Sequence, residues 1–220
     1  MNKNKQVFEA VIFDLDGVLA DTAHFHFLAW QHLAQTQGIA FDEVFNERLK
    51  GIDRMASLEL ILSQSNRVYS QQEKIELARE KNQHYLQFTG TITPADLLPG
   101  ARDALNLVRA AGLKTGLASV SKNAFFILEK LGIRDCFDDV IDAALLTHTK
   151  PHPEIFLTSA SHLGVAPAAC IGVEDSLAGI SSIKSAGMFA IGIGSPTVLT
   201  FADHVIPDLR HFMLSTYALN

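Results

Sequence analysis

The stretch "VIFDLDGVLADT" at residues 11–22 decides how this sequence is interpreted, because an apolar run ends there in two aspartates one residue apart. If the run is a β-strand, side chains at i and i+2 face the same way, so Asp14 and Asp16 bring two like charges into one small volume. Their repulsion must be relieved by a bound cation, by a shared proton or by enough water to screen both groups. The first two remedies imply chemistry at the end of this strand.

The composition is that of an ordinary globular protein and excludes several partners. Of the 220 residues, 48% are hydrophobic and 19% are charged, which argues against disorder. The 18 basic and 24 acidic residues give a formal net charge of -6, so neither a nucleic-acid backbone nor an anionic membrane is an expected partner. An anionic substrate must therefore be bound by local cations. The length allows a core domain with a small inserted one.

The cysteines and the N-terminus indicate a cytoplasmic protein. Cys136 and Cys170 form no CxxC pair, so we interpret them as reduced core residues. Residues 1–13 imitate a signal peptide, but Glu9 and Asp14 interrupt the apolar stretch and no small-residue cleavage site follows. No apolar segment reaches the roughly 18 residues of a membrane-spanning helix. We expect neither export nor membrane binding, and nothing in the sequence demands more than a monomer.

Short apolar or β-branched runs alternate with helical patterns over most of the chain. The predicted buried strands lie at 8–13, 114–119, 138–143, 170–175 and 189–194. The predicted helices lie at 101–112, 123–132, 153–164 and 176–187, and a glycine closes each. This alternation is typical of a Rossmann-like α/β fold, in which a parallel sheet is covered by helices on both faces.

Residues 22–90 interrupt the alternation, because helical patterns follow one another there without a strand. These patterns lie at 24–38, 42–51, 54–65 and 70–88. A structureless loop of this length is improbable, so we predict a small α-helical cap domain inserted after the first strand. Residues 91–100, with two prolines, are interpreted as the return hinge. The core domain then comprises 1–20 and 92–220, and the cap comprises 21–91.

Polar side chains follow the predicted strands, at the edge where parallel sheets bind their ligands. Carboxylates follow the first and fourth strands, a hydroxyl follows the second, and a lysine lies in the loop "THTKPHPEIF". This set suits a hard divalent cation and a phosphate better than an apolar ligand. Its members are Asp14, Asp16, Ser119, Lys150, Glu174 and Asp175.

Four motifs resemble those of the haloacid dehalogenase superfamily: "DLDGVLADT", "LASVS", "TKPHPEIF" and "GVEDSLAGI". They occur in the same order as in that superfamily and span the core. A lone DxD motif would be weak evidence for such a resemblance. Within the superfamily the sequence is most similar to the glucose-phosphate mutases, because the match continues through "LKGIDR" in the cap. The resemblance implies magnesium-dependent phosphoryl transfer on a small sugar phosphate, through an aspartyl-phosphate and a β-glucose 1,6-bisphosphate intermediate.

The resemblance also implies a role for each matching acid. Asp14 would be the nucleophile, because its acyl-phosphate divides one difficult transfer into two easier ones. Asp16 would be the general acid and base. Magnesium would be held by the Asp14 carboxylate, the Asp16 backbone carbonyl and Asp175, with Glu174 beside it.

The phosphates and the sugar would be held by further matching residues. Ser119 and Lys150 would hold the transferring phosphate, and Arg54 with Lys81 would hold the distal one, since arginine can meet two phosphate oxygens at once. Cap closure would exclude water during both transfers. Trp30 is a candidate sugar platform, although such aromatics more often pack in a core. The remaining candidates are His26, Lys50, Gly51, Ser57, Asn82, Ser121, Lys122 and Asn123.

Two other functions fit parts of the sequence. A phosphatase of the same superfamily, acting on a sugar phosphate or phosphoglycolate, would share the core motifs, and only the cap separates the two. A non-enzymatic phospho-acceptor, like the receiver domains of signalling proteins, also places acids, a hydroxyl and a lysine at strand ends. Such a domain needs neither a cap nor a second acid at i+2.

Each motif also has a simpler structural interpretation. Aspartates are common where a strand turns at a glycine, and acids before Ser176 could merely open a helix through its dipole. The cap cations Arg54 and Lys81 could be solvated helix charges. The HxH formed by His24 and His26 has no evident third metal ligand, so we interpret His24 as a surface residue. We assign no role to the two histidines of "THTKPHPEIF".

Overall fold

A six-stranded parallel sheet lies at the centre of the computed structural model, which describes residues 7–217. The strands are β1 (Ala10–Phe13), β2 (Lys114–Leu117), β3 (Asp139–Val140), β4 (Cys170–Glu174), β5 (Phe189–Ile193) and β6 (His204–Ile206). Their order is β3-β2-β1-β4-β5-β6, and every neighbouring pair is parallel. The predicted Rossmann-like α/β fold is confirmed. Residues 1–6, on which the comparison with a signal peptide rested, lie outside the described residues.

Helices cover both faces of the sheet. Within residues 7–217 they are α1 (Ala23–Thr36), α2 (Glu43–Asn46), α3 (Arg54–Leu62), α4 (Gln71–Thr89), α5 (Ala101–Ala110), α6 (Ala124–Leu131), α7 (Glu154–Leu163) and α8 (Leu177–Ser185). Alternate residues of β1 face opposite layers: Val11 and Phe13 belong to the cluster with α5 and α6, and Ala10 and Ile12 to the cluster with α7 and α8. Because β1 is buried on both faces, it reads as a continuous apolar run.

The helices between β1 and β2 pack around a core of their own. One buried cluster contains Trp30 and Leu33 of α1, Leu58 and Ile61 of α3, and Leu77 of α4. The two segments that connect these helices to the sheet lie side by side, since the Leu98 amide donates to the Leu19 carbonyl at 2.9 Å.

The predicted helix at 42–51 is wrong as one continuous element. The chain forms α2 and then a 3₁₀ turn, Glu47–Leu49, and leaves helical geometry at Lys50. Two local features explain the break. Gly51 has a φ of 74°, which a helix does not accommodate, and the Asp53 side chain accepts from the Met55 and Ala56 amides as the N-cap of α3.

Two strands also differ from the sequence prediction. Strand β6 was not predicted, because its three residues are too short to show a period and Pro207 follows them closely. Strand β3 has two residues instead of the six predicted at 138–143. The Asp142 side chain accepts from the Ala144 amide at 2.9 Å and turns the chain away from the sheet.

Both cysteines are free, with Cys170 buried and Cys136 half-buried. Among residues 7–217, no helix combines the length and the apolar character that crossing a membrane requires.

Candidate active site

The loop after β1 is held tightly against the ends of its neighbours. The Asp14 amide donates to the Val173 carbonyl at 2.9 Å, which extends the pairing of β1 with β4 by one residue. The chain then turns at Gly17, where φ is 80° and where a Cβ atom would overlap the Asp175 carboxylate. A glycine is therefore required here, both for the backbone conformation and for the approach of the two loops.

A buried lysine joins the carboxylates at the sheet edge. Lys150 Nζ lies 2.8 Å from Asp14 Oδ1 and 2.8 Å from Glu174 Oε1. The second oxygen of Glu174 accepts from the Ser176 amide at 2.6 Å, at the beginning of α8. Burial by itself would lower the pKa of Lys150, but the attraction of the two carboxylates outweighs it and raises that pKa. Lys150 therefore remains charged and compensates for part of the acid cluster.

Three carboxylates lie close enough to share one cation. Oxygens of Asp14, Glu174 and Asp175 lie within 4.8 Å of one another, in the one such cluster found among residues 7–217. Burial, then repulsion from Glu174, raises the pKa of Asp14 to about 7, against the opposing effect of Lys150. Burial followed by the same kind of repulsion raises the pKa of Asp175 well above its ordinary value. Oxygen ligands crowded in this way fit a hard divalent cation such as Mg²⁺.

Asp16 lies beside this cluster in a different environment. The Thr22 hydroxyl donates to Asp16 Oδ1, and His26 Nε2 lies 3.8 Å from the same oxygen. Burial raises the pKa of Asp16, while the Thr22 hydrogen bond and the charge of Lys81 oppose the shift. A carboxyl group with a raised pKa and a defined orientation is suited to transferring protons.

A cavity of about 510 Å³ separates this sheet edge from helices α1, α3 and α4. Most of the residues predicted to form the site line it. They are Asp14, Asp16, His26, Trp30, Lys50, Gly51, Arg54, Ser57, Lys81, Asn82, Ser121, Lys122 and Asp175.

Four predicted residues do not line the cavity but support those that do. Lys150 and Glu174 are fully buried next to Asp14. Ser119 is also fully buried, and its hydroxyl accepts from the Ser121 amide at 3.2 Å. The Asn123 side chain donates to Asn82 Oδ1 at 3.0 Å and so joins α4 to the residues that follow β2.

The wall opposite the acids carries two cations. Lys81 is 2% exposed; its Nζ lies 2.7 Å from His26 Nδ1 and 4.5 Å from the centre of the Trp30 ring. Arg54 Nη2 donates to Asn82 Oδ1 at 2.7 Å. Among residues 7–217, no carboxylate lies within salt-bridge distance of Arg54 or Lys81. Burial and the charge of Arg54 hold the pKa of Lys81 well below its ordinary value. A bound anion would stabilise the charged form of Lys81, so this wall is suited to binding an anion.

Other predicted residues have more than one contact. Trp30 belongs to the core of the helices and also lines the cavity. Its position is therefore compatible with core packing and with contact to a sugar. Lys50 Nζ lies 2.9 Å from Glu47 Oε1. Burial alone would lower the pKa of Lys50. The hydrogen bond to Glu47 and the charge of Asp175 outweigh burial and raise that pKa.

Sequence reasoning missed several residues of the site. Thr22 is the last residue of the first motif, but nothing in its type indicates the hydrogen bond to Asp16. The Tyr85 ring lies 4.1 Å from the His26 ring, centre to centre. One wall of the cavity includes Thr147, His148 and Thr149, which precede the lysine of the third motif.

The fold and the site together define a phosphoryl-transfer enzyme of the α/β type. The sequence profile described as haloacid dehalogenase-like hydrolase matches residues 8–187. The chain belongs to this family, which confirms the resemblance drawn from the four motifs.

Known relatives narrow the comparison. The chain is 50% identical over 200 residues to the β-phosphoglucomutase of Bacillus subtilis strain 168, covering 90% of this chain and 88% of that protein. It is 31% identical over 194 residues to a phosphorylated carbohydrates phosphatase of Thermotoga maritima, covering 82% of each. The crystal structure of a β-phosphoglucomutase from Clostridium difficile matches with a TM-score of 0.92 and 47% identity, covering 96% of this chain and 95% of that one.

Proposed function

We propose that this protein is a magnesium-dependent β-phosphoglucomutase, which interconverts β-D-glucose 1-phosphate and glucose 6-phosphate. The observation that carries the proposal is that cationic side chains lie at two separate places around one cavity. At the sheet edge, buried Lys150 contacts Asp14, which lines the cavity, and the opposite wall carries Arg54 and Lys81, which have no acidic partner among the described residues. A sugar bisphosphate requires both. The 50% identity to the Bacillus subtilis enzyme supports the same activity.

We further infer that residues 1–20 and 92–220 form the catalytic core and that residues 21–91 form a cap that moves on it. The separate hydrophobic cluster of α1, α3 and α4 supports this division. The two connecting segments are also paired, with a bridge between Ala20 and Leu97, so they can bend together as a hinge.

Magnesium would be held by the carboxylates of Asp14 and Asp175 and by the backbone carbonyl of Asp16, with Glu174 beside it. The bound cation would supply positive charge that lets a phosphate approach a carboxylate. The chain contributes a cation of its own, because Lys150 contacts Asp14. Lys150 and Ser119 would together bind the phosphoryl group that is transferred.

The cycle begins with a phosphoryl group on Asp14. The 6-hydroxyl of β-glucose 1-phosphate attacks this phosphorus, the bond to the Asp14 oxygen breaks, and the Asp16 carboxylate takes the hydroxyl proton. The resulting β-glucose 1,6-bisphosphate reorients in the cavity, so that its 1-phosphate faces Asp14. Asp14 then attacks the 1-phosphate, and Asp16 returns its proton to the departing sugar oxygen. Glucose 6-phosphate leaves, and Asp14 is phosphorylated again.

The remaining residues hold the part of the substrate that does not react. Arg54, Lys81 and Asn82 would bind the distal phosphate from the cap. Thr22 and His26 would keep Asp16 oriented toward the reacting oxygen. The other contacts to the distal phosphate or the sugar would come from Trp30, Lys50, Gly51, Ser57, Ser121, Lys122 and Asn123.

The proposed partner is therefore a small sugar phosphate, with neither nucleic acid nor membrane involved. We propose a monomer that works in the cytoplasm. The formal net charge of -6 supports the absence of a polyanionic partner.

The test is a product assay that is monitored by ³¹P NMR. The enzyme is mixed with β-glucose 1-phosphate, Mg²⁺ and a trace of β-glucose 1,6-bisphosphate, and the α-anomer serves as a control. Glucose 6-phosphate without free phosphate is the expected product. The Thermotoga maritima phosphatase, at 31% identity, makes hydrolysis the second candidate. Release of glucose and free phosphate would establish that candidate and refute the mutase.

A further inference from the structure

The loop that carries Lys150 is anchored from the beginning of α7. Glu154, the first residue of that helix, uses both oxygens of its carboxylate. Its Oε1 accepts from the Thr147 amide at 3.0 Å, and its Oε2 accepts from the His148 amide at 2.6 Å. Hydrogen bonds to an ionised carboxylate are stronger than those between neutral groups. This side chain therefore fixes the chain just before Lys150.

A second anchor fixes the chain just after Lys150. The hydroxyl of Ser182, a fully buried residue of α8, donates to the His152 carbonyl at 2.7 Å. The His152 amide in turn donates to the Thr149 carbonyl at 3.0 Å and closes the turn. Lys150 therefore lies between two parts of the loop that are each held by hydrogen bonds. Its ammonium can lie 2.8 Å from both Asp14 and Glu174 only while the loop keeps this path.

The simpler interpretation of Glu154 is an ordinary acid in the first turn of a helix, where it favours the helix dipole. That role needs no particular partner. Here both oxygens are used on consecutive amides of one loop, and Thr147 and His148 also form part of the cavity wall. The arrangement therefore connects the helix to the site as well as stabilising its end.

We propose that Glu154 is a positioning residue for phosphoryl transfer, which fixes the loop so that the Lys150 ammonium meets the transferring phosphate beside Asp14. This inference rests on the proposed function only in requiring a phosphoryl group at Asp14. It holds whether the final acceptor is a sugar hydroxyl or water.

The first test compares Glu154→Gln with Asp103→Asn, which removes the same charge from the first turn of α5, away from the loop. Glu154→Gln is expected to lower kcat about 10- to 100-fold, because small displacements of a reacting group have effects of this size. KM should change less than about threefold, since the cap cations that bind the distal phosphate are untouched. Both variants should have similar thermal midpoints. Equal kcat values would overturn the proposal.

The second test asks whether Glu154 acts through Lys150. The probe is beryllium fluoride with Mg²⁺, which mimics a phosphoryl group on a carboxylate, and its affinity is measured by ¹⁹F NMR. Glu154→Gln should weaken binding about tenfold in the wild-type background and should add nothing in a Lys150→Met background. Equal weakening in both backgrounds would show that Glu154 does not act through Lys150.

A third measurement does not require the Lys150→Met variant to fold. Fully buried Lys150 should resist amidination by an imidate reagent in the wild type and in Asp103→Asn, as mass spectrometry would show. Glu154→Gln should be modified faster at this position, and equal protection would overturn the proposal. These outcomes are separable from the proposed function. A wild type that only releases free phosphate would refute the mutase while leaving the effects of Glu154→Gln on probe binding and labelling intact.

Discussion

Lys150→Met is expected to destabilise the metal-free protein strongly, and Lys184→Met provides a matched control. The two lysines have nearly the same ion-pair geometry. Lys150 Nζ lies 2.8 Å from oxygens of Asp14 and Glu174, and Lys184 Nζ lies 2.7 Å from both oxygens of Asp203. Lys150 pairs with two carboxylates and Lys184 with one, but the main difference is burial, because the Lys150 side chain is 0% exposed and the Lys184 side chain is 39% exposed.

The expected losses follow from this difference in burial. Removing Lys150 leaves the carboxylates of Asp14 and Glu174 facing each other without an ammonium, and breaking such a buried pair costs about 3–5 kcal/mol. Removing Lys184 breaks an exposed pair, which contributes about 0–1 kcal/mol. Methionine replaces most of the volume of the lysine stem, so the substitution chiefly removes the charge, including that of Nζ 5.2 Å from the centre of the Phe156 ring. The difference between the variants is therefore electrostatic.

The loss should depend on pH in a definite direction. Lys150 opposes the rise in the pKa of Asp14, which stands at about 7 with the lysine present, so its removal raises that pKa further. A carboxyl group whose pKa is higher in the folded state binds a proton on folding. Its contribution to stability is complete below the unfolded pKa of about 3.9 and is lost as pH rises through the folded pKa. The defect of Lys150→Met should therefore be smaller in acid.

Urea denaturation with EDTA at about pH 5 and about pH 8 measures these losses as free energies of unfolding. The reasoning fails if Lys150→Met and Lys184→Met lose similar amounts at the higher pH. It also fails if the loss for Lys150→Met is larger at the lower pH.

Four further predictions follow, three on single side chains and one on the metal. Asp16→Asn should lower kcat about 10²- to 10⁴-fold with little change in the free energy of unfolding, and retention of full activity would remove Asp16 from the mechanism. Gly179→Ala would place a Cβ atom on the Glu174 carboxyl group, so denaturation should show a loss of about 1–3 kcal/mol together with reduced turnover, and a neutral variant would contradict this packing. Ser70→Ala removes the N-cap hydrogen bond to the Glu73 amide and should cost about 1 kcal/mol in urea denaturation without changing kcat. Finally, EDTA should abolish turnover and added Mg²⁺ should restore it, and activity that survives EDTA would exclude a required metal.

The sheet and its edge could be predicted because they depend on short-range patterns and on topology. The buried strands β1, β4 and β5 show as apolar runs because both faces of each are covered. Once parallel strands are inferred, their carboxyl ends must meet, which brings Asp14, Glu174 and Asp175 together without any knowledge of side-chain contacts.

Contacts that depend on tertiary packing or on the path of a loop could not be predicted in this way. His26 and Lys81 lie 55 positions apart in the sequence and meet only through the packing of α1 on α4. The sequence shows Lys81 as one charge on a polar helix, and only the structure shows that it is 2% exposed. Similarly, the hydrogen bonds of Glu154 depend on the path of a loop that has no periodic pattern.

The placement of charge around the cavity bears directly on the choice between sugar and water as the acceptor. The sheet edge combines its acids with Lys150, so it can receive a phosphoryl group whatever the acceptor is. Among residues 7–217, Arg54 and Lys81 on the opposite wall have no acidic partner, and an unpaired buried cation opposes folding until an anion reaches it. Hydrolysis of a sugar monophosphate, which has no second anionic group, would leave these cations without an anion. A bisphosphate would provide one, because its second phosphate would pair with these cations while the first is transferred. The cap cations, more than the core motifs, therefore favour a sugar phosphate over water as the acceptor.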